Sequence, residues 1–191
     1  VKQGGGQTTA AGTTFATTLQ ANAPVGTSVT FTLPASGASG TFAGGALTAT
    51  VLADASGVAS APALTANLTA GTFNVTISAP RKAVSTTLTL TNLPGAAASV
   101  SVVSGQGQTA TTASAFPAPL VARVRDASGN PVSGINVTFT APASGAVATF
   151  TGGASSANAV TDASGLATSP VLTANAVAGN YQVTASFAGA P

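Results

Sequence analysis

Val29-Thr-Phe-Thr-Leu-Pro-Ala-Ser-Gly-Ala-Ser-Gly-Thr-Phe-Ala-Gly-Gly45 returns later in the chain as Val137-Thr-Phe-Thr-Ala-Pro-Ala-Ser-Gly-Ala-Val-Ala-Thr-Phe-Thr-Gly-Gly153. Phe31 matches Phe139, Pro34 matches Pro142 and Phe42 matches Phe150, always 108 residues apart. The same offset carries Asp54 to Asp162, Gly57 to Gly165, Pro62 to Pro170, Asn67 to Asn175, Gly71 to Gly179 and Phe73 to Tyr181. Roughly fifty residues align without a gap, so the chain is two copies of one folding unit.

Inside the copies the periodicity is two, the period of a strand with one face buried. Ile135, Val137 and Phe139 fall on one face, with Asn136, Thr138 and Thr140 on the other. Leu120, Ala122 and Val124 alternate with Val121, Arg123 and Arg125. Phe73, Val75 and Ile77 repeat the pattern in copy one, and Tyr181, Val183, Ala185 and Phe187 do so in copy two. Gly, Pro and Asp-Ala-Ser-Gly turns separate these runs at about the 8–12-residue spacing of sandwiches. One apolar and one hydroxyl face per strand is what two stacked sheets require. The expected fold class is therefore all-β, with two tandem immunoglobulin-like β-sandwich domains.

Working outward, the copies diverge upstream. Gln7–Leu19 matches Gln108–Leu120 at an offset of 101, so copy one is 108 − 101 = 7 residues shorter between Leu19 and Val29. Copy two carries Asp126-Ala-Ser-Gly-Asn-Pro-Val-Ser-Gly134 there and copy one only Asn22-Ala-Pro-Val-Gly26, which predicts a truncated hairpin in the first domain. Downstream, Ala83–Asn92 alternates and should close copy one, with Asn92-Leu-Pro-Gly-Ala96 as turn and linker. The expected domains are 1–94 and 95–191. Copy two reaches Pro191 soon after the Tyr181–Phe187 strand, with nothing equivalent to Thr86–Asn92. Its sandwich is expected to expose an unpaired edge, which proteins normally avoid. Either the natural chain continues or a neighbouring molecule supplies that strand. Tyr181, Val183, Ala185 and Phe187 form the candidate assembly edge. Val1–Thr14 is Gly-rich and poorly alternating, and is expected to be a free segment and a weak strand donor.

Composition supports this reading. Only 4% of the residues are charged, and 22 Gly, 11 Pro and abundant Thr, Ser, Ala and Val suit short strands and tight turns. Apolar runs are broken every few residues, far short of the ~18 needed for a spanning helix. Five cations (Lys2, Arg81, Lys82, Arg123, Arg125) are scattered and make no nucleic-acid footprint. The chain opens at Val1 with no visible signal peptide, as a mature or excised segment would.

The inventory leaves no plausible catalytic centre. His and Cys are absent and the acids are three Asp, so no triad or general acid–base pair can be assembled. No cofactor or metal is expected. Each Asp opens the same motif: Asp54-Ala-Ser-Gly57, Asp126-Ala-Ser-Gly129 and Asp162-Ala-Ser-Gly165. An Asp at the first turn position accepts backbone hydrogen bonds, and the Gly supplies a positive φ. Asn130 and Pro131 extend the second of these turns. Calcium sites collect several carboxylates, whereas each Asp here stands alone. Sequons at Asn67, Asn74 and Asn136 read as ordinary strand polarity, and Lys2 and Lys82 sit too near domain margins for isopeptide chemistry. Thr arrays such as Thr86–Thr91 are ordinary strand composition, since twisted sheets rarely offer the flat ranks an ice-binding face needs.

Pro119-Leu-Val-Ala-Arg-Val-Arg-Asp-Ala-Ser-Gly-Asn-Pro-Val-Ser-Gly134, followed by Val137–Pro142, resembles the bacterial Ig-like repeats of the Big-1 type. These occur in intimin- and invasin-like adhesins and in long repetitive surface proteins. Thr161–Ala167, Leu172–Asn175 and Ala178–Ala185 strengthen the resemblance, which covers copy two almost completely and the later half of copy one. It implies a β-sandwich spacer on the bacterial exterior, with binding confined to a distal domain and no catalytic residues. The expected function is a non-catalytic module of a cell-surface adhesin or extracellular fibre. The alternative is a subunit of a self-assembling filament whose open edge a neighbouring chain completes. Expected partners are neighbouring Ig-like repeats or identical subunits, with no nucleic acid and no membrane insertion.

Overall fold

The computed structural model describes residues 1–79 and 83–189; Pro80, Arg81, Lys82, Ala190 and Pro191 lie outside them. The chain divides into two compact units, Val1–Gly95 and Ala96–Pro191. Both are all-β and pack their sheets around a core of their own.

Unit 1 contains β1 (Thr8–Ala10), β2 (Gln20–Asn22), β3 (Ser28–Thr32), β4 (Gly40–Phe42), β5 (Thr48–Leu52), β6 (Val58–Ser60), β7 (Leu64–Ala66), β8 (Gly71–Ala79) and β9 (Val84–Leu93). One layer is a five-stranded sheet in the order β1-β9-β8-β3-β5. The other is built on β6 and β7, which pair with β2 and β4 respectively. Pro62 stands in the gap between β6 and β7, where it cannot donate a ladder hydrogen bond. Phe15, Leu19, Phe31, Phe42, Leu64, Phe73, Val75, Leu88 and Leu90 are drawn from both layers into one buried cluster. The alternation seen in the sequence puts them there, because every second residue of a strand faces the same way.

Unit 2 contains β10 (Ala97–Ser104), β11 (Val121–Asp126), β12 (Asn136–Thr140), β13 (Ala148–Phe150), β14 (Ser156–Val160), β15 (Leu166–Thr168), β16 (Leu172–Ala174) and β17 (Thr184–Phe187). One layer is β14-β12-β17, and the other is formed by β10-β11-β15 with the β13-β16 pair. Val124, Val137, Phe139, Phe150 and Leu172 centre its separate core.

On the charge-poor strand faces, side-chain hydroxyls bond across paired strands. Thr30 faces Thr50 at 2.9 Å and Thr72 faces Thr91 at 3.0 Å across paired strands. The Thr89 hydroxyl donates to Asn74 Oδ1, and that of Thr138 to Asn158 Oδ1. Cross-strand pairs of this kind are the sheet's unit of lateral stabilisation, worth about 0.2–1 kcal/mol each.

Two local expectations are revised. Val1–Thr14 is not a free segment. Thr8–Ala10 pairs in parallel with Thr91–Leu93, and Gln3 bridges Gln20, so the segment is an edge of unit 1. The apolar alternation from Tyr181 to Phe187 becomes a strand only from Thr184 onward. In unit 1 the equivalent residues 71–75 pair with β9 alone, and residues 179–183 have no such partner among the described residues.

Candidate functional site

Three Asp turns and one sheet edge are the features that could carry function. At Asp54 the carboxylate Oδ1 accepts the backbone N–H of Ser56 (2.8 Å) and Val58 (3.0 Å). The Gly57 N–H donates to the Asp54 carbonyl, closing the turn at φ +73°. Asp162 repeats this with Ser164 (2.7 Å) and Leu166 (3.0 Å), and Gly165 stands at φ +71°. A Cβ at Gly165 would also lie 2.6 Å from the Val124 carbonyl oxygen, so the position admits no side chain.

Asp126 is the most elaborated of the three and is itself buried. Its Oδ1 accepts the N–H of Ser128 and Asn130, and its Oδ2 accepts the Asn130 side-chain amide at 2.8 Å. Gly129 lies at φ +85°, and Pro131 bridges back to Arg125, which completes the hairpin. Thr161 secures that hairpin: its buried hydroxyl donates to the Val132 carbonyl and accepts from the Ile135 N–H. Copy one has Ala53 at the equivalent position and makes a shorter connection, in which Thr27 N–H donates to Pro24. Each Oδ1 accepts two backbone N–H groups, and the arrangement fixes the turns.

A second set of organisers was not singled out from the sequence. Asn67 Oδ1 accepts from the N–H of Ser39 and Thr69, while its amide donates to the Gly37 carbonyl. Asn175 makes the same three bonds with Val147, Val177 and Gly145. In unit 1 a further residue enters this cluster. The buried Asn92 of β9 donates through Nδ2 to Ser39 O (2.8 Å), Asn67 Oδ1 (3.0 Å) and Thr69 O (3.1 Å). The Gln7 side chain clasps Gly4 O and Thr17, and Gln108 clasps Gly105 O and Ala118 in the same way. The signals available were the invariant offsets, 108 for Asn67–Asn175 and 101 for Gln7–Gln108.

The candidate edge Tyr181, Val183, Ala185, Phe187 lines one side of unit 2. Phe187 is buried, whereas Tyr181, Val183 and Ala185 are half-buried. Phe15 and Phe73 meet edge-to-face at 6.2 Å in unit 1, and Phe116 and Tyr181 meet in the same way at 6.2 Å in unit 2. The first pair is 5% exposed at both rings; the second is only half-buried. Alternation places Tyr181 in the core, and the structure moves it to the wall of an open groove of about 1080 Å³. Its phenol oxygen is shut off from solvent without a hydrogen-bond partner, and burial pushes the phenol pKa up.

No family model matches the sequence, and no curated protein matches it. Among solved structures, the chain is similar to FdeC, an Escherichia coli adhesin, at 21% identity over 95% of this chain and 57% of that one, with a TM-score of 0.43. It is also similar to invasin, a bacterial integrin-binding protein, at 21% identity over 98% of this chain and 35% of that one, with a TM-score of 0.38. The chain thus spans well under two thirds of either.

Proposed function

We propose that this chain is a non-catalytic structural module of a bacterial cell-surface adhesin or extracellular fibre, in which it acts as a semi-rigid spacer. The observation that carries the reading is the duplication itself. One sandwich is repeated with the Asp54/Asp162 turn, the Asn67/Asn175 bonds and the Gln7/Gln108 clasp in both copies, and among the described residues no group of three or more His, Cys, Asp or Glu side chains is gathered to hold a metal. Repeats that bury their cores independently lengthen a molecule without changing its chemistry. Strand faces of Thr and Ser in place of charge suit a static exterior protein, and the Big-1-like motifs imply the same location.

A second reading, a filament subunit completed by a neighbouring chain, is favoured by the open edge of unit 2, because exposed edges template pairing. Sedimentation velocity and negative-stain microscopy of the purified chain at micromolar concentration separate the two. A spacer stays monomeric. Regular filaments would overturn the spacer and leave the second reading standing.

A further inference from the structure

Arg123 and Arg125 stand on the outer face of β11, two residues and ~6.6–6.8 Å apart along the strand. Ala122, Val124 and Asp126 alternate with them and are buried. Across the ladder Arg123 lies opposite Ser101 of β10 and Leu166 of β15, and Arg125 lies opposite Ser99 and, through a single bridge, Pro131. Neither guanidinium makes a hydrogen bond or ion pair among the described residues. The Arg123 Nε is also shut off from solvent with nothing to donate to. A buried donor left in that condition is costly, and nearly all such groups in proteins are met by a partner.

Beside the two arginines lies a pocket of about 350 Å³, lined by Arg123, Arg125, Pro131, Ala163 and Ser164. β11 brings the cations, the Asp126 hairpin brings Pro131, and the Asp162 turn brings Ala163 and Ser164. These walls hold two positive charges and no negative one. The Asp162 carboxylate, next in sequence to Ala163, has its Oδ1 turned to the N–H groups of Ser164 and Leu166.

Copy one has the turn without the charges. Ala55-Ser56 matches Ala163-Ser164 at the offset of 108. Asn22 takes the place of Arg123, since it pairs with Val58 as Arg123 pairs with Leu166. β2 ends there, whereas β11 continues to Asp126, and no arginine precedes Val29. The pocket is therefore an addition to unit 2 and not a by-product of the sandwich.

A guanidinium fork matches an oxyanion bidentately and sheds its water more readily than an ammonium does. The volume is at the low end of the ~300–1,000 Å³ of small-ligand sites, enough for one ring. β11 is paired on both sides along this stretch, so it offers no free edge to the backbone of a peptide. Pro131 supplies an apolar wall, and the Ser164 hydroxyl has no bond among the described residues.

We propose that this pocket binds an anionic sugar, the terminal sugar acid of a glycan. The carboxylate is held by Arg123 and Arg125, the ring lies against Pro131, and a ring hydroxyl meets Ser164. The inference goes beyond the spacer reading and is independent of it, because the pocket lies within one unit.

The test follows the arginine Nε–H resonances of the intact, isotope-labelled chain, assigned with Arg123→Lys and Arg125→Lys. The probes are methyl glucuronide, free glucuronate, acetate and the neutral methyl glucoside, at matched ionic strength. The expected result is a saturable shift of the Arg123 and Arg125 resonances with both glucuronates. Acetate should bind at least about tenfold more weakly, and the glucoside should have no effect. Arg123→Gln and Arg125→Gln should each weaken the methyl glucuronide by about tenfold or more. Arg123→Lys keeps the charge, loses the fork and should weaken it nearly as much. Arg125 is exposed, so its variant carries the test should Arg123→Gln disturb the strand, and the backbone amide spectrum reports the fold of each. A drift that never saturates, or that sodium chloride reproduces, overturns the proposal, as does unchanged binding in both Gln variants. Acetate binding as tightly as glucuronate reduces the pocket to an ion site and overturns the sugar. Tighter binding of an Asp-containing dipeptide overturns it in favour of an acidic peptide. Binding of the free acid without its methyl glycoside overturns the glycan as source. The spacer reading survives each of these failures, because it rests on the duplication.

Discussion

Ala113 holds a backbone conformation (φ +59°) that its counterpart Gly12 adopts at φ +80°. The left-handed region crowds a Cβ, and a glycine there relieves the crowding at the cost of a looser unfolded chain. Ala113→Gly should therefore stabilise unit 2 by about 1 kcal/mol, read as a higher urea midpoint when unfolding is followed by the emission of Tyr181. A second residue-scale outcome concerns the Tyr181 phenol. Burial raises its pKa above the ordinary phenol value of 10.0. The neutral phenol's contribution is complete below that value and is lost as pH climbs through the folded midpoint, because the unfolded chain releases the proton first. Ultraviolet titration should give a midpoint above 10.0 in the folded chain and near it in denaturant. Unit 2 should weaken over the same alkaline interval. A folded midpoint at or below the unfolded one would contradict the buried placement of the phenol oxygen.

Among the elements, β9 has the largest effect on its surroundings. It carries an alternating apolar face, and its Asn92 supplies the donor for a cluster that otherwise contains mainly acceptors. Asn92→Ala removes the Nδ2 group from Ser39 O, Asn67 Oδ1 and Thr69 O. Losing these buried hydrogen bonds costs about 1–3 kcal/mol. The substitution should lower the calorimetric transition of unit 1 and leave the Tyr181-monitored unfolding of unit 2 unchanged. Its apolar half was legible beforehand, because Leu88 and Leu90 alternate with Thr. Asn92 was not. Read along the strand it continues the alternation as a polar residue on an inward position, and only the approach of Asn67, 25 residues earlier, explains why it belongs there. The Asp turns were legible for the opposite reason: the bonds at Asp54 and Asp162 close within four residues.

For the whole molecule, two separate cores are built on one pattern, and unit 2 has no counterpart of β9 among the described residues. The unit that lacks it leaves Phe116, Leu120, Tyr181 and Val183 half-buried, and removal of apolar area from water is the main stabilising term in folding. Calorimetry should resolve two transitions, with unit 2 unfolding first. A single concerted transition, or unit 1 unfolding first, would contradict the assignment of β9 as the closing strand. The two copies, their alternating faces and their turns follow from the residues taken in order, since periodicity and turn chemistry act over a few positions and a repeat can be matched by eye. Contacts between distant parts of the chain decided the rest: Val1–Thr14 becomes an edge only because β9 is there to pair with it, and residues 179–183 lie without a ladder because no such strand is beside them. A strand's hydrogen bonds belong to its neighbour as much as to itself, so alternation says which face a residue prefers and pairing alone says whether it is a strand.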